Sequence, residues 1–175
     1  MLTPLCELAR KHGSDKFSAK HSYTEWYYNT FKDRRETVRK VVEIGVGEGA
    51  SLRMWRDFFP NAMIYGADND WTRIFDDERI KVVLCDQSRS SDLLHLLNTT
   101  GNDIDLFIDD GSHNPLMQTF THMELMPLLA PGVIYVVEDV VRPDLLAGFS
   151  GCEMPELELR KRYDNCLVVD RHAQS

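Results

Sequence analysis

The chain repeats a pattern of short apolar runs separated by segments with helical spacing. The runs are rich in β-branched and aliphatic residues, and each is followed by a glycine or an acidic residue, as in buried parallel strands. They lie at 41–44, 64–67, 82–85, 104–108 and 133–137. Apolar residues three and four positions apart predict helices at 52–59, 88–97 and 115–126. Strands and helices that alternate in this way predict an α/β fold with a doubly wound, Rossmann-like sheet.

Apolar runs near the C-terminus predict two further strands. They lie at 156–163 and 166–170 and are joined by Asp164-Asn165, which is typical of a hairpin turn. We therefore expect a mostly parallel sheet of seven strands with a C-terminal antiparallel hairpin.

The N-terminal region predicts two helices. Helical spacing of apolar residues ends at Gly13, and an aromatic stripe follows. The stripe consists of Tyr23, Trp26, Tyr27 and Phe31. Two interpretations stay open: the stripe packs on the domain, or it covers a ligand as a lid, with an aromatic ring facing a cationic group. We expect one domain over 1–175, with an N-terminal helical lid at 1–35 and a Rossmann-like core at 36–175.

A glycine-rich loop joins the first predicted strand to the first core helix. It carries Gly45, Gly47 and Gly49, followed by Ala50 and Ser51. Such a loop lets the backbone approach a ligand and directs free N–H groups at the start of a helix toward it. The spacing also fits the dinucleotide fingerprint, so the glycines alone do not separate a nicotinamide or flavin cofactor from S-adenosylmethionine (SAM).

Polar side chains at the ends of the first three strands favour SAM. Glu43 precedes the first glycine and could accept the amino group of SAM, and Asp68 could accept both ribose hydroxyls. Asp86 and Gln87 end the third run, where an adenine amino group could be recognised. The sequence therefore predicts a nucleoside-containing cofactor bound along one edge of the sheet.

The fourth and fifth strands end in a second polar group. Asp109, Asp110 and His113 follow one strand, and Glu138 and Asp139 follow the next. We expect Asp109, like Tyr23, to contact the cofactor, and Asp110 to be catalytic together with His113. So many neighbouring carboxylates repel one another unless a cation lies among them, and oxygen ligands suit Mg²⁺. We expect Asp110, Glu138 and Asp139 to bind the metal and His113 to take a proton from a substrate hydroxyl. The alternative is that these residues are turn, capping and solvated strand-end residues.

Composition narrows the classes of partner. The chain has 175 residues and a formal net charge of -8, which disfavours binding to a nucleic-acid backbone. The four cysteines have neither zinc-site nor redox-motif spacing, and no apolar stretch reaches membrane-spanning length. We expect a cytoplasmic protein with a small-molecule partner; homo-oligomerisation stays open.

Several motifs together resemble the natural-product sugar O-methyltransferases of the macrocin and mycinamicin type. They are Gly13-Ser14-Asp15-Lys16, His21-Ser22-Tyr23, the segment 43–55, Cys85-Asp86-Gln87-Ser88, 108–113 and Val137-Glu138-Asp139. The resemblance runs from about residue 8 to residue 139. It implies Mg²⁺-dependent methyl transfer from SAM to a sugar hydroxyl of a glycosylated metabolite. In that family's pattern, Asp110, Glu138 and Asp139 hold the metal, His113 is the base, and the glycine loop, Asp68, Asp86 and Gln87 bind SAM.

Two other functions remain as alternatives. A NAD-dependent oxidoreductase would be expected to carry a proton donor such as a Tyr-x-x-x-Lys pair, which does not follow the third strand. A SAM-binding protein without catalysis would not need the His113 and carboxylate set. A nucleic-acid base methyltransferase is less consistent, because Asp109-Asp110-Gly111-Ser112 stands where an Asn/Asp-Pro-Pro-aromatic run would be expected.

Overall fold

A computed structural model describes residues 2–146 and 166–171. These residues build a seven-stranded sheet in the order β3-β4-β2-β1-β5-β6-β7. The strands are β1 (Lys40–Ile44), β2 (Met63–Asp68), β3 (Asp76–Asp77), β4 (Ile80–Leu84), β5 (Leu106–Asp109), β6 (Ile134–Val137) and β7 (Val168–Arg171). The five central strands are parallel, and the edge strands β3 and β7 run antiparallel to their neighbours. The predicted α/β class and the mostly parallel, Rossmann-like sheet are confirmed.

Helices cover both faces of the sheet. They are α1 (Pro4–His12), α2 (Tyr23–Phe31), α3 (Ala50–Phe58), α4 (Ser90–Thr100), α5 (Pro115–Leu125) and the short α6 (Pro143–Leu146), with 3-10 turns at Trp71–Arg73 and Met126–Leu128. Successive strand residues face opposite ways, so Val41 packs with α1, α2 and α3 while Val42 packs with α4 and α5. The result is a three-layer domain with one apolar core on each face.

The aromatic stripe of α2 belongs to the first of these cores. Tyr27 and Phe31 are fully buried, and their rings pack edge-on against Trp55 and Phe59. Such pairs add about 0.5–1.5 kcal/mol to the burial of the rings themselves. This packing fixes the N-terminal helices against α3.

Strand register brings the predicted site residues to one edge of the sheet. Ile44 is level with Ala67 on one side and with Asp109 on the other, and Asp109 is level with Val137. The residues that follow each strand therefore leave the sheet side by side. A parallel sheet places its ligand-binding crevice at this carboxyl edge.

One edge strand was not predicted from the sequence: β3 lies shortly after the 3-10 turn at Trp71–Arg73. The predicted antiparallel strand near the C-terminus is present as β7, which pairs with β6, whereas the predicted strand at 156–163 lies outside the described residues. No helix in residues 2–146 or 166–171 has the length and apolar character to cross a membrane.

Candidate active site

The glycine loop lies directly beneath the segment that follows β5. Gly45 has a φ of 92°, and a Cβ added there would lie 2.0 Å from the backbone oxygen of Asp110. The next residue, Val46, donates its backbone N–H to Asp68 Oδ2 at 2.9 Å. Gly49, with a φ of 74°, is the N-cap residue directly before α3. The loop therefore requires glycine at position 45 for two reasons, the positive φ and the close approach.

Two adjoining cavities open at this edge of the sheet. The first has a volume of about 470 Å³ and extends from the glycine loop to the acidic residues of β5 and β6. The second, of about 430 Å³, lies between the ends of β2 and β4. Gly45, Asp68 and Gly111 line both cavities. Their combined size suits a nucleoside with an extended substituent.

Lys16 lies at the centre of the acidic residues. Its Nζ is 2.6 Å from Asp110 Oδ2 and 3.2 Å from Glu43 Oε1, and it also donates to Glu138 Oε2. The side chain is almost fully buried, with 1% of the residue exposed. Burial alone would lower the pKa of Lys16, but the attraction of Asp110, Glu138 and Glu43 raises it well above its usual value. Lys16 is therefore a charged ammonium group.

Aromatic hydroxyls from α2 hold the carboxylates that follow β6. Tyr27 donates to Glu138 Oε1 at 2.6 Å, and Tyr23 donates to Asp139 Oδ1 at 2.5 Å. Tyr23 also accepts the backbone N–H of Asp139 at 3.2 Å. The N-terminal helices therefore contribute hydrogen bonds to the site as well as apolar packing.

Two imidazoles flank Asp139. His21 Nδ1 is 3.3 Å from Asp139 Oδ1, and His113 Nε2 is 3.6 Å from Asp139 Oδ2. Burial alone would raise the pKa of Asp139, but hydrogen bonds from His21 and Tyr23 lower it overall. The hydrogen bond to Asp139 is the main reason that the pKa of His21 is raised to about 10.

Asp110, His113 and Asp139 form the group best placed to hold a cation. One ligand atom from each lies within 4.8 Å of the others. His113 Nε2 is 3.1 Å from Asp110 Oδ1, and this hydrogen bond raises the pKa of His113 to about 9. Both His113 and Asp139 have a φ of 53°, which residues other than glycine rarely adopt. Strained backbone of this kind is concentrated at functional sites.

Glu138 lies behind this group of ligand atoms. Lys16 and Tyr27 occupy its two carboxylate oxygens, and it is 1% exposed. Its predicted role as a metal ligand stays a prediction, with both oxygens engaged inside the protein.

The other predicted cofactor residues fall into two groups. Asp68 and Asp86 line the cavities, and each also accepts hydrogen bonds from the backbone, Asp68 from Asp70 N and Asp86 from Ser88 N. Glu43, in contrast, is fully buried and accepts the indole N–H of Trp55 at 2.7 Å. Its predicted contact with the SAM amino group stays a prediction.

Gln87 and Asp109 form a buried support for the loop that follows β5. Gln87 donates its amide to Asp109 Oδ1 at 3.1 Å and to Thr121 Oγ1 at 3.0 Å, and it accepts the backbone N–H of Ser112 at 2.7 Å. Asp109 also accepts the backbone N–H of Gly111, and burial raises its pKa to about 7. The predicted cofactor contacts of Gln87 and Asp109 stay predictions.

The sequence analysis did not assign site roles to Lys16, His21 or Tyr27. Lys16 and His21 were noted only as parts of the family resemblance, and Tyr27 only as part of the aromatic stripe. The available signal was a short polar segment, 13–16, placed directly before that stripe. Nothing in the local sequence shows that this segment meets residues more than ninety positions away.

Sequence comparison relates the chain to O-methyltransferases of natural-product pathways. It is 40% identical over 143 residues to 8-demethyl-8-alpha-L-rhamnosyl tetracenomycin-C 2'-O-methyltransferase of Streptomyces olivaceus, which covers 78% of this chain and 37% of the relative. It is 36% identical over 143 residues to mycinamicin VI 2''-O-methyltransferase of Micromonospora griseorubida, covering 78% of this chain and 36% of the relative. The chain resembles the natural-product sugar O-methyltransferases. No protein-family model matches it.

Structural comparison agrees with this resemblance. The methyltransferase MycE of the mycinamycin pathway, in complex with Mg and SAH, superposes with a TM-score of 0.80 and 28% identity, covering 99% of this chain and 56% of MycE. MycE has also been solved with Mg, SAH and mycinamycin VI, with a TM-score of 0.79. The fold is that of the class I methyltransferases. The chain spans a little over a third of the length of the curated relatives it matches, 37% and 36%.

Proposed function

We propose that this chain is a SAM-dependent, Mg²⁺-dependent O-methyltransferase domain that methylates a sugar hydroxyl of a glycosylated natural product. The observation that carries the proposal is the position of the Asp110, His113 and Asp139 group, which lines the same cavity as the glycine loop. A methyl donor and a metal-held hydroxyl can meet only where these two features adjoin. The relatives, which are named for O-methylation of rhamnosyl tetracenomycin-C and mycinamicin VI, support the choice of acceptor.

The residues of the proposed SAM site surround the two cavities. Gly45, Gly47, Ala50 and Ser51 of the glycine loop line the first cavity, where the free N–H groups at the start of α3 would face the ligand. Asp68 would accept the ribose hydroxyls, and Asp86 and Gln87 lie toward the adenine. Tyr23 lines the first cavity at its acidic end. Glu43 and Asp109 are fully buried, and we propose that they support the cofactor site from the interior of the domain.

The donor set fits Mg²⁺. Asp110 Oδ1 and Asp139 Oδ2 are hard oxygen atoms that face His113 and the cavity, and their side chains are 21% and 12% exposed. We propose Asp110, Glu138 and Asp139 as metal ligands; Glu138 also contacts Lys16. When bound, SAM supplies an electrophilic methyl group and Mg²⁺ supplies a charge that favours ionisation of the acceptor hydroxyl.

His113 is the proposed general base. Its side chain is 46% exposed at the cavity, so a substrate hydroxyl can reach it, while Asp110 Oδ1 orients the ring. The negative charges of Asp110 and Asp139 stabilise the protonated form of His113. A cation bound to these two carboxylates would weaken that effect, so that a neutral imidazole could accept a proton. His113 would accept the proton of the acceptor hydroxyl, and the hydroxyl oxygen would take the methyl group, whose bond to the sulfonium sulfur of SAM breaks to leave S-adenosylhomocysteine.

The N-terminal region at 1–35 is proposed to act as a lid on the core at 36–175. Its residues Lys16, His21 and Tyr23 line the first cavity, which supports this assignment. The same region packs against α3 through Tyr27 and Phe31, so both interpretations of the aromatic stripe fit the structure.

Calorimetry tests the proposal directly. SAM, S-adenosylhomocysteine and NAD are titrated with and without Mg²⁺, and we expect binding of the first two only. Turnover is then measured with rhamnosylated acceptors, where chelation of Mg²⁺ should abolish methyl transfer. Preference for NAD, or full activity after chelation, would contradict the proposed function.

A further inference from the structure

The peptide group that joins Glu138 to Asp139 is held by side chains from two different helices. Its carbonyl oxygen, on Glu138, accepts the side-chain amide of Gln118 in α5 at 2.9 Å. Its N–H, on Asp139, donates to the hydroxyl of Tyr23 in α2 at 3.2 Å. Both Gln118 and Tyr23 are 1% exposed. Buried backbone groups need hydrogen-bond partners, and here the partners come from side chains instead of a neighbouring strand.

The chain turns away from the sheet at this peptide group. The N–H of Glu138 still donates to the backbone oxygen of Asp109, and the N–H of Val140 donates to the backbone oxygen of Cys166. Between these two bonds, Asp139 has a φ of 53°. Residues other than glycine keep such a conformation only where the surrounding structure holds them in it. The two helix side chains supply that support from opposite sides of the turn.

Gln118 also connects this turn to the loop that carries Asp110 and His113. It lies near the start of α5, which begins two residues after His113. Ligand atoms of Asp110, His113 and Asp139 lie within 4.8 Å of one another, so the spacing between the loop and the turn determines whether they can share a cation. Gln118 itself lies outside the lining of both cavities. Any effect of Gln118 on a bound ion therefore passes through the backbone.

The amide of Gln118 is only partly satisfied. Nε2 donates to the Glu138 carbonyl, whereas Oε1 is buried and has no hydrogen-bond partner among the described residues. A buried polar atom without a partner is unfavourable, and an apolar side chain of similar size would not carry one. We propose that Gln118 is a positioning residue, which holds the Glu138–Asp139 peptide so that the proposed metal ligands face one cation.

The first test removes the amide and keeps most of its volume. Gln118→Leu takes the donor away from the Glu138 carbonyl and leaves every proposed ligand in the chain. Mn²⁺ affinity is measured by electron paramagnetic resonance on the full chain without SAM. We expect Mn²⁺ to bind about 10–100-fold more weakly, the usual effect of losing a residue that orients metal ligands. Gln118→Met carries the same expectation and replaces Gln118→Leu if that variant does not fold.

Leu125→Val is the matched control on the same helix. Leu125 is fully buried in the apolar core between α5 and the sheet. Its shortening should lower the unfolding temperature and leave the Mn²⁺ affinity unchanged. An equal loss of Mn²⁺ affinity in Leu125→Val and in Gln118→Leu would assign the effect to the packing of α5 and overturn the positioning role.

Tyr23→Phe releases the same peptide group from its other side. If the two side chains hold one peptide group, loss of either already frees it. Mn²⁺ affinity should then fall less in the variant with both substitutions than the product of the two separate losses. Independent effects, which multiply, would overturn the inference.

The inference rests on the proposed function, because it needs Asp110, Glu138 and Asp139 to hold a cation. Failure of the unsubstituted protein to bind Mn²⁺ would overturn the proposed metal site and this inference together. Equal Mn²⁺ affinity in the unsubstituted protein and in folded Gln118→Leu or Gln118→Met would overturn the inference alone and leave the metal site in place.

Discussion

The two sides of the cleft are built by different means. On the glycine side, one stretch from Gly45 to Ser51 determines the shape through its backbone, and a single carboxylate, Asp68, anchors it. On the acidic side, the shape depends on side chains from the N-terminal region and from three strand ends. A backbone loop that binds a ligand can therefore come from one short stretch of sequence. A group of charged side chains that balance one another needs residues from distant parts of the domain.

Replacement of His113 by alanine breaks the acidic side alone. We expect methyl transfer to fall about 10²–10⁴-fold, the usual contribution of a general base. SAM affinity should remain nearly unchanged, because the glycine loop is intact. Turnover assays and calorimetry on the same sample measure both quantities. His95→Ala, on the exposed face of α4, is the control and should retain full activity; full activity of His113→Ala would exclude the base role.

Replacement of Gly45 by alanine breaks the glycine side. The new Cβ would meet the backbone oxygen of Asp110 at 2.0 Å, and the φ of 92° is unfavourable for alanine. Overpacking and backbone strain each cost about 1–3 kcal/mol, so we expect a large loss of stability and of SAM binding.

Gly47→Ala is the matched control for Gly45→Ala. Its φ is also positive, at 52°, but an added Cβ would find no atom within 4 Å. Gly47→Ala should therefore lose only the stability that the positive φ costs, which is the smaller part of the loss expected for Gly45→Ala. Chemical denaturation and calorimetry compare the two variants, and equal losses in both would mean that the close approach to Asp110 does not matter.

Replacement of Tyr27 by phenylalanine sharpens the comparison on the acidic side. The buried Glu138 Oε1 would lose the hydroxyl that donates to it at 2.6 Å. An unsatisfied buried acceptor costs about 1–3 kcal/mol, which unfolding in denaturant can measure. Tyr28→Phe is the control, because this neighbour of Tyr27 on α2 is only half-buried and packs against Phe58 of α3. Equal stability of both variants would contradict the role of the Tyr27 hydroxyl.

A second histidine–aspartate pair shows what a buried pair does away from the cleft. His122 Nε2 is 2.9 Å from Asp170 Oδ2, and its ring packs edge-on against Tyr135. Burial lowers the pKa of His122 below its usual 6.5, although Asp170 opposes the shift. The unfolded chain therefore binds this proton more readily than the folded protein.

The folded protein should accordingly lose stability as the pH falls below about 6.5, and the contribution should be fully present above it. One group contributes at most about 1.4 kcal/mol per pH unit. Denaturation at several pH values should show a shallower slope for His122→Asn than for the unsubstituted protein. His95→Gln should leave the slope unchanged, and an equal slope in His122→Asn would assign the acid sensitivity to other groups.

Features that depend on residues close together in the chain could be predicted from the sequence. The apolar runs predicted the five parallel strands, and the positions of Gly45 and Asp68 followed from strand ends alone. Strand order along the sheet also explains why Asp110 and Asp139 could be placed together.

The sequence could not show the partners of Lys16. Its contacts with Asp110 and Glu138 join residues 94 and 122 positions apart, and no periodic pattern encodes such a distance. The same applies to His21, which contacts Asp15, six positions away, and also Asp139, 118 positions away. The contacts of Glu138 with Lys16 and Tyr27 could not be predicted either, and its role as a metal ligand stays a prediction.

The long reach of Lys16 also determines when the site can form during synthesis. Glu138 is synthesised 122 residues after Lys16, so Lys16 cannot meet this partner until most of the chain has been made. Until then the ammonium group remains hydrated, and contacts between distant residues form slowly because a long loop must close first. Docking of the N-terminal helices onto the completed sheet is therefore expected among the last steps of folding.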